Sequence, residues 1–284
     1  MTRLFAFGVA LAICGLGTPV AAQEPAQRIV SLGGSVTEIV VALGAEDRLV
    51  ARDSTSSFPD SILALPDVGY LRALSPEGVQ ALGPDLIVAE ADAGPVEAVE
   101  VLRGAGVPFV LMPDDPTAAG VAAKIAAVAG ALGLPAEGDA LAAKVTAELA
   151  EAEALAAGVT APKRVLFILS AQGGRIMAGG EGSSAEGIIR LAGGVNAATG
   201  FRGYKQMTDE AVLTAAPDVI LMMDRAGDHA ALDADLFALP ALAGSPAARD
   251  GAVIRMDGLL LLGFGPRTPE AVRKLHAALY QGAP

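Results

Sequence analysis

Side chains able to carry nucleophilic or metal chemistry are scarce in this chain. It has two histidines, His229 and His276, and one cysteine, Cys14. His276 falls inside RTPEAVRKLHAALY, on a face of an expected helix, and His229 in the loop RAGDHAALDAD would be a lone metal ligand. Nucleophilic catalysis needs Ser or Cys beside a base, and a zinc site needs several convergent ligands, so both readings are poor. No GxSxG elbow or P-loop is present; GGSVTE and GGEGSSAEG read as tight turns before capped helices, a weak phosphate signal. The residue pattern is that of a non-enzyme. What stands out instead is a phenol and a guanidinium two residues apart, Tyr70 and Arg72 in GYLRALSPEG. On residue type alone, Tyr70 is a half-buried loop tyrosine that packs or caps.

That pair opens a stretch of clear local signals, PDVGYLRALSPEGVQALGPDLIVAE, residues 66–90. Ser75 suits an N-cap, Pro76 the first helical position, and Glu77 the positive end of the helix dipole. The helix should end near Gly83-Pro84, and DLIVAE resembles a buried strand of a parallel sheet. The pattern recurs 133 residues later as MTDEAVLTAAPDVILM, with Glu210 on Glu77, Pro217 on Pro84 and Asp218 on Asp85. A repeat of this kind predicts two similar lobes.

The remaining elements follow the same duplication. RIVSLGG, LVARD and VPFVLMP read as strands, SVTEIVVALG and PVEAVEVLRGAG as helices, the first with a Ser35…Glu38 capping box. KRVLFILS, SSAEGIIRLAGG with a Ser183…Glu186 box, and GAVIRMD repeat the theme, and RTPEAVRKLHAALY closes it with Thr268 as N-cap. Residues 117–160 are rich in helix formers, broken around Gly133-Leu134-Pro135, and residues 137–157 predict a helix of about 20 residues, or about 30 Å. The expected fold is α/β: two Rossmann-like lobes with central parallel sheets, joined by one long interdomain helix, with a ligand cleft between them. The lobes are placed at residues 23–116 and 161–284, with the helical segment at 117–160.

Residues 1–22 have a basic start at Arg3, the apolar run LFAFGVALAICGLG and the small-residue end Val20-Ala21-Ala22. They predict a secretory signal peptide cleaved after Ala22, hence a periplasmic protein. Cys14 lies inside that segment, leaving a mature chain without thiol chemistry. The chain is 52% hydrophobic and 4% aromatic, lacks Trp, and carries a formal charge of −12, which argues against nucleic acid or anionic lipid as partner.

RIVSLGGSVTEIVVALGA, LPDVGYLRALSPEGVQALGPDLIVAE, MAGG…AEGIIRLAGG, YKQMTDEAV…APDVILMM and GPRTPEAV resemble the periplasmic haem-binding proteins of bacterial haem ABC importers, a class of helical-backbone substrate-binding proteins. The resemblance covers residues 28–280, and GYLRALSPEG distinguishes haem from the cobalamin and ferric-siderophore receptors of the same class. It implies a limited-motion fold without catalysis, a monomer that carries haem b as transported ligand to a permease dimer in the inner membrane. Within it, Tyr70 takes the role of axial ligand to the haem iron. Tyrosinate is an anionic oxygen donor suited to ferric iron, and Arg72 has the charge to favour the phenolate or bind a propionate. Tyr204, at the mirror position, is expected on the opposite wall; Arg175, Arg202 and Lys205 are possible propionate partners. Some members carry a histidine ligand in the loop after the first strand of lobe two, but residues 170–180 contain none. Met177 there is read as a core methionine, and Tyr280 as a packing residue at a helix end. Glu77 and Glu210, one on each lobe, would meet arginines of the two permease subunits.

Overall fold

A computed structural model describes residues 25–224 and 233–282. The expected signal peptide, Cys14 and His229 lie outside the described residues.

The first lobe alternates strand and helix, and its strands are short, with the central pair apolar and buried on both faces. β1 (Ile29–Leu32), β2 (Leu49–Arg52), β3 (Leu86–Ala89) and β4 (Phe109–Leu111) form one parallel sheet in the order β2-β1-β3-β4. Helices α1 (Gly34–Ala42), α2 (Pro76–Gln80) and α3 (Val96–Gly104) supply the crossovers. α2 begins as its sequence requires, with Ser75 Oγ accepting from Gly78 N and Pro76 at the first position.

Two helices then carry the chain across. Thr117 caps α4 (Ala118–Leu132), and Gly133, at φ 73°, ends it in the left-handed region that glycine adopts freely. Pro135 starts α5 (Pro135–Ala157), which is 23 residues and therefore about 35 Å long. The crossing is thus a helical hairpin rather than a lone strut. α4 packs on α1 of lobe one, and α5 packs on α4 and on the last helix of lobe two. Gly138 makes the hairpin tight, since a Cβ there would lie 2.3 Å from that of Ala129.

Lobe two contains β5 (Arg164–Ser170), β6 (Met177–Gly179), α6 (Ser184–Leu191), β7 (Val195–Asn196), β8 (Tyr204–Gln206), α7 (Asp209–Ala215) and β9 (Val219–Asp224). After the undescribed stretch come α8 (Asp233–Phe237), α9 (Pro240–Ala243), α10 (Pro246–Asp250), β10 (Val253–Asp257), α11 (Gly258–Leu262) and α12 (Thr268–Tyr280). Its sheet runs β10-β9-β5-β6-β8, with β7 beside β5. The parallel run β5-β9-β10 repeats β1-β3-β4 of lobe one, so the duplication is structural as well as sequential. The repeated Pro-Asp does the same thing in each lobe. Asp85 accepts from Arg28 N at 2.9 Å and Asp218 from Arg164 N at 2.8 Å, tying each strand start to its neighbour.

The expectation of a parallel sheet in lobe two holds for that run and for β7, which pairs parallel with β5. β6 and β8 are antiparallel, giving a mixed sheet. Ser170–Gly180, read as a loop, folds back through Gly173 and Gly174 at positive φ, and so short a connection can join only antiparallel strands.

Three capping details also differ. α1 has Gly33 as N-cap without a side-chain bond, because Ser35 Oγ instead donates to Glu90 Oε1 at 2.7 Å and Glu38 pairs with Arg267. Thr268 is the first helical residue of α12 and donates to Gly265 O at 2.7 Å rather than capping. In α6, Ser183 caps Glu186 N as expected, but Glu186 reaches Gly182 N at 2.6 Å.

One apolar core runs through both lobes, from Ile29, Ile39 and Val88 through Ile125, Val128 and Leu149 to Phe167, Ile188 and Leu275. Smaller clusters cover the far face of each sheet. Polar ties cross the same junction. Lys124 Nζ donates to Ser35 Oγ at 3.1 Å and to Gly263 O at 3.2 Å, and Arg267 pairs with buried Glu38 while lying 3.7 Å over the Phe58 ring. Separating the lobes would expose shared apolar surface and leave these charges unpaired, so large opening is costly. His276 belongs to this core, with Nδ1 3.1 Å from Ala192 O, and Tyr280 donates to Gly193 O at 2.7 Å.

Candidate ligand-binding site

The wall from lobe one is built by loops at the carboxyl ends of β2, β3 and β4, where open α/β sheets place their ligands. Asp53 organises the first loop. Its buried carboxylate accepts from Gly33 N at 2.9 Å, Thr55 N at 3.0 Å, Thr55 Oγ1 at 2.7 Å and Ser56 Oγ at 2.7 Å. Ser54 N donates to Gly69 O at 2.9 Å, and Asp67 Oδ1 accepts from Gly69 N at 2.8 Å, which sets the turn ahead of Tyr70. Gly69 has φ 88°, a conformation a side chain would strain. Leu71 and Leu74 are buried, and this anchors the segment while Tyr70 and Arg72 face outward, Tyr70 at 44% exposure.

Tyr70 and Arg72 form one unit. Arg72 Nη1 donates to the Tyr70 hydroxyl, with the guanidinium 5.4 Å from the ring centroid. The opposite edge of the guanidinium meets Asp92, Nε at 2.7 Å from Oδ2 and Nη2 on the same oxygen. Backbone bonds Leu74 N to Gly94 O at 2.9 Å and Gly94 N to Leu71 O at 2.8 Å hold the Asp92 loop against the Tyr70 loop.

Lobe two carries Tyr204 on β8. Its ring packs edge-on to Phe167 at 6.2 Å, over Gly179, whose missing Cβ would sit 3.2 Å from the ring. Burial pushes the Tyr204 phenol up, against hydrogen bonds with the Ala185 backbone and the Ser184 side chain; Asp114 pushes it further up and Arg72 draws it down. Tyr70 and Arg72 are in direct contact, while Tyr204 stands on β8 of the other lobe.

The other cations are arranged differently. Arg175 is exposed after the β5–β6 turn, and Arg202 is exposed with its guanidinium against Gly182. Lys205 follows Tyr204 in a strand and so points to the opposite face of the sheet, away from the Tyr204 wall. Met177 is partly buried on β6 opposite Gln206. Asp92 and Asp114 were missed by sequence reasoning; the available signal was an acidic residue just beyond a strand end in ADAGP and MPDD. Among the described residues, no group of three or more His, Cys, Asp or Glu side chains could hold a metal ion.

Glu77 and Glu210 occupy equivalent places, each exposed at the second position of a short helix capped by Ser75 or Thr208. Glu77 also accepts from Ser75 Oγ at 3.1 Å.

Two α/β lobes joined by a helical backbone are the architecture of a substrate-binding protein. A family model described as "Periplasmic binding protein" matches residues 29–259, and the chain belongs to that family. Among solved structures, it is similar to the periplasmic haem-binding protein BhuT in complex with two haems, with 41% identity, 89% of this chain and 97% of that one covered, and a TM-score of 0.84. Among curated relatives, it is 26% identical to the ABC transporter substrate-binding lipoprotein YvrC of Bacillus subtilis (strain 168), over 91% of this chain and 81% of that protein. It is also 29% identical to the vitamin B12-binding protein of Vibrio campbellii (strain ATCC BAA-1116), over 70% of this chain and 71% of the relative.

Proposed function

We propose that this protein captures ferric haem b between its lobes, ligates the iron through Tyr70, and delivers the haem to an ABC importer permease for iron uptake. The observation that carries this reading is the Arg72 N–H aimed at an outward-facing Tyr70 oxygen at the cleft. An anionic oxygen donor suits ferric iron, and a cation hydrogen-bonded to that oxygen favours its charged form. Tyr204 fits the role less well, because burial opposes its ionisation and its hydroxyl already has partners. It serves instead as the aromatic wall opposite. Arg175 and Arg202 are the propionate partners on lobe two, with Lys205 facing elsewhere. Glu77 and Glu210 dock the two permease subunits. Residues 1–22 direct export and are cleaved after Ala22, and residues 23–116, 117–160 and 161–284 act as lobe, connector and lobe in a periplasmic monomer. No step makes or breaks a covalent bond.

A second reading, cobalamin as cargo, is favoured by the likeness to a vitamin B12-binding protein. It is the weaker one, since the likeness to the haem-binding structure is higher in identity and spans nearly all of that chain. A ferric siderophore is the remaining alternative. Equilibrium titration of the mature protein separates these cargoes: ferric haem is expected to bind saturably, while cyanocobalamin and a ferric catecholate give no saturable signal. Saturable cobalamin binding without haem binding would reverse the assignment.

A further inference from the structure

We propose that Asp92 is a positioning residue, one that fixes Arg72 so that its N–H meets the Tyr70 oxygen; this rests on the reading of Tyr70 as iron donor. A guanidinium is planar, so holding one edge sets where the other edge points. Asp92 holds the Nε–Nη2 edge of Arg72, and the Nη1 edge then donates to Tyr70. The arrangement does not depend on chance encounter of mobile loops. Leu71, Leu74 and Gly94 exchange two backbone hydrogen bonds that join the segments bearing Arg72 and Asp92. Both side chains are nearly half exposed, at 48% and 45%, so neither is needed to fill the core. Without Asp92, Arg72 has a flexible stem and water-facing alternatives, and the fixed donor is lost.

The pairing also decides what Arg72 does not do. Its charge is shared with an adjacent carboxylate and its Nη1 is engaged with the ligand tyrosine, so it is a poor clamp for a haem propionate. An acid at a site for a dianionic ligand is otherwise unexpected. By Coulomb's law alone, deleting Asp92 would strengthen haem binding. Positioning requires the opposite sign.

The test uses the mature protein with Asp92→Ala, Arg72→Ala and the double replacement, each titrated with ferric haem. Asp92→Ala is expected to weaken binding about tenfold, the size of one charge-assisted hydrogen bond, and to diminish the phenolate-to-iron charge-transfer band. The double variant is expected to bind no more weakly than Arg72→Ala alone, because Asp92 acts through Arg72. Equal or tighter haem binding in Asp92→Ala, or losses that multiply in the double variant, would overturn the proposal. A second readout needs no haem: the Tyr70 13Cζ resonance of the free protein should shift alike in Asp92→Ala and Arg72→Ala. An unchanged resonance in Asp92→Ala overturns positioning on its own. Absence of haem binding by the wild type would remove Tyr70 as iron donor, yet the resonance would still decide whether Asp92 sets Arg72.

Discussion

Glu38→Ala is expected to destabilise the protein by about 3 kcal/mol, the lower end of the cost of breaking a buried ion pair. Glu38 is almost wholly buried at the lobe junction and paired with Arg267, whose Nε is buried without a partner. Burial pushes the Glu38 carboxyl up and Arg267 draws it down, while Glu38 in turn favours the charged form of Arg267. Removing one member is still costly, because Arg267 then loses its hydrogen-bonded carboxylate at a largely buried position beside the Phe58 ring. The double replacement Glu38→Leu, Arg267→Met should recover most of the loss. Denaturant unfolding of the three variants measures this, and a double variant as unstable as the single one would contradict it.

Burial likewise pushes Glu90 up, ahead of the opposing pull of Lys124. Both carboxyls bind protons more readily folded than unfolded, so their contribution to stability is fullest in acid and is lost as pH rises above the ordinary glutamate range. The Asp218 carboxyl, held down mainly by Arg164 against its desolvation, acts in the other direction, losing its contribution only as pH falls through the aspartate range. The melting temperature should therefore be higher at pH 5.5 than at pH 8.

The second large effect falls on transport. Charge reversal at both lobes, Glu77→Arg with Glu210→Arg, is expected to reduce haem uptake by a reconstituted importer more than tenfold while leaving haem binding intact. Each glutamate complements the positive end of its helix by only ~0.3–1 kcal/mol, and each is exposed, so folding survives the change. What is lost is charge complementarity with the permease, where like charges now oppose. A single reversal should give an intermediate loss if, as proposed, each lobe addresses one subunit. Full uptake by the double variant would confine the glutamates to helix stabilisation.

Much of this organisation was legible from local signals. The strands around DLIVAE and DVILM, the Ser75 and Thr208 starts, and the Gly133-Leu134-Pro135 break announce themselves in short runs, and the repeat announces two lobes. Features that depend on distant partners were not legible. Ser35 abandons its expected capping role because Glu90, 55 residues away, arrives at the end of β3 and accepts its hydroxyl. Ser170–Gly180 reads as loop because β6 has only three residues and two of the three are Ala and Gly, which carry no strand pattern. Tyr70, Arg72 and Tyr204 stand out in the sequence by motif and mirror position, and the Tyr70–Arg72 contact follows from their two-residue spacing. The Asp92 contact is not legible in the sequence, since only the folded loops show that this acid meets Arg72. Lys205 illustrates the converse: its charge made it a possible propionate partner, and strand alternation sends it to the face opposite Tyr204.

The central claim is that the Tyr70 oxygen binds the iron of ferric haem. The most direct measurement is the absorption spectrum of the mature protein saturated with ferric haem, recorded beside Tyr70→Phe, which keeps the ring and removes only the oxygen. The account predicts a saturable complex with a phenolate-to-iron charge-transfer band in the wild type, and loss of that band with at least about a hundredfold weaker binding in the variant. An unchanged spectrum and affinity in Tyr70→Phe would contradict it and move the iron to another donor, with Tyr204 the next to replace.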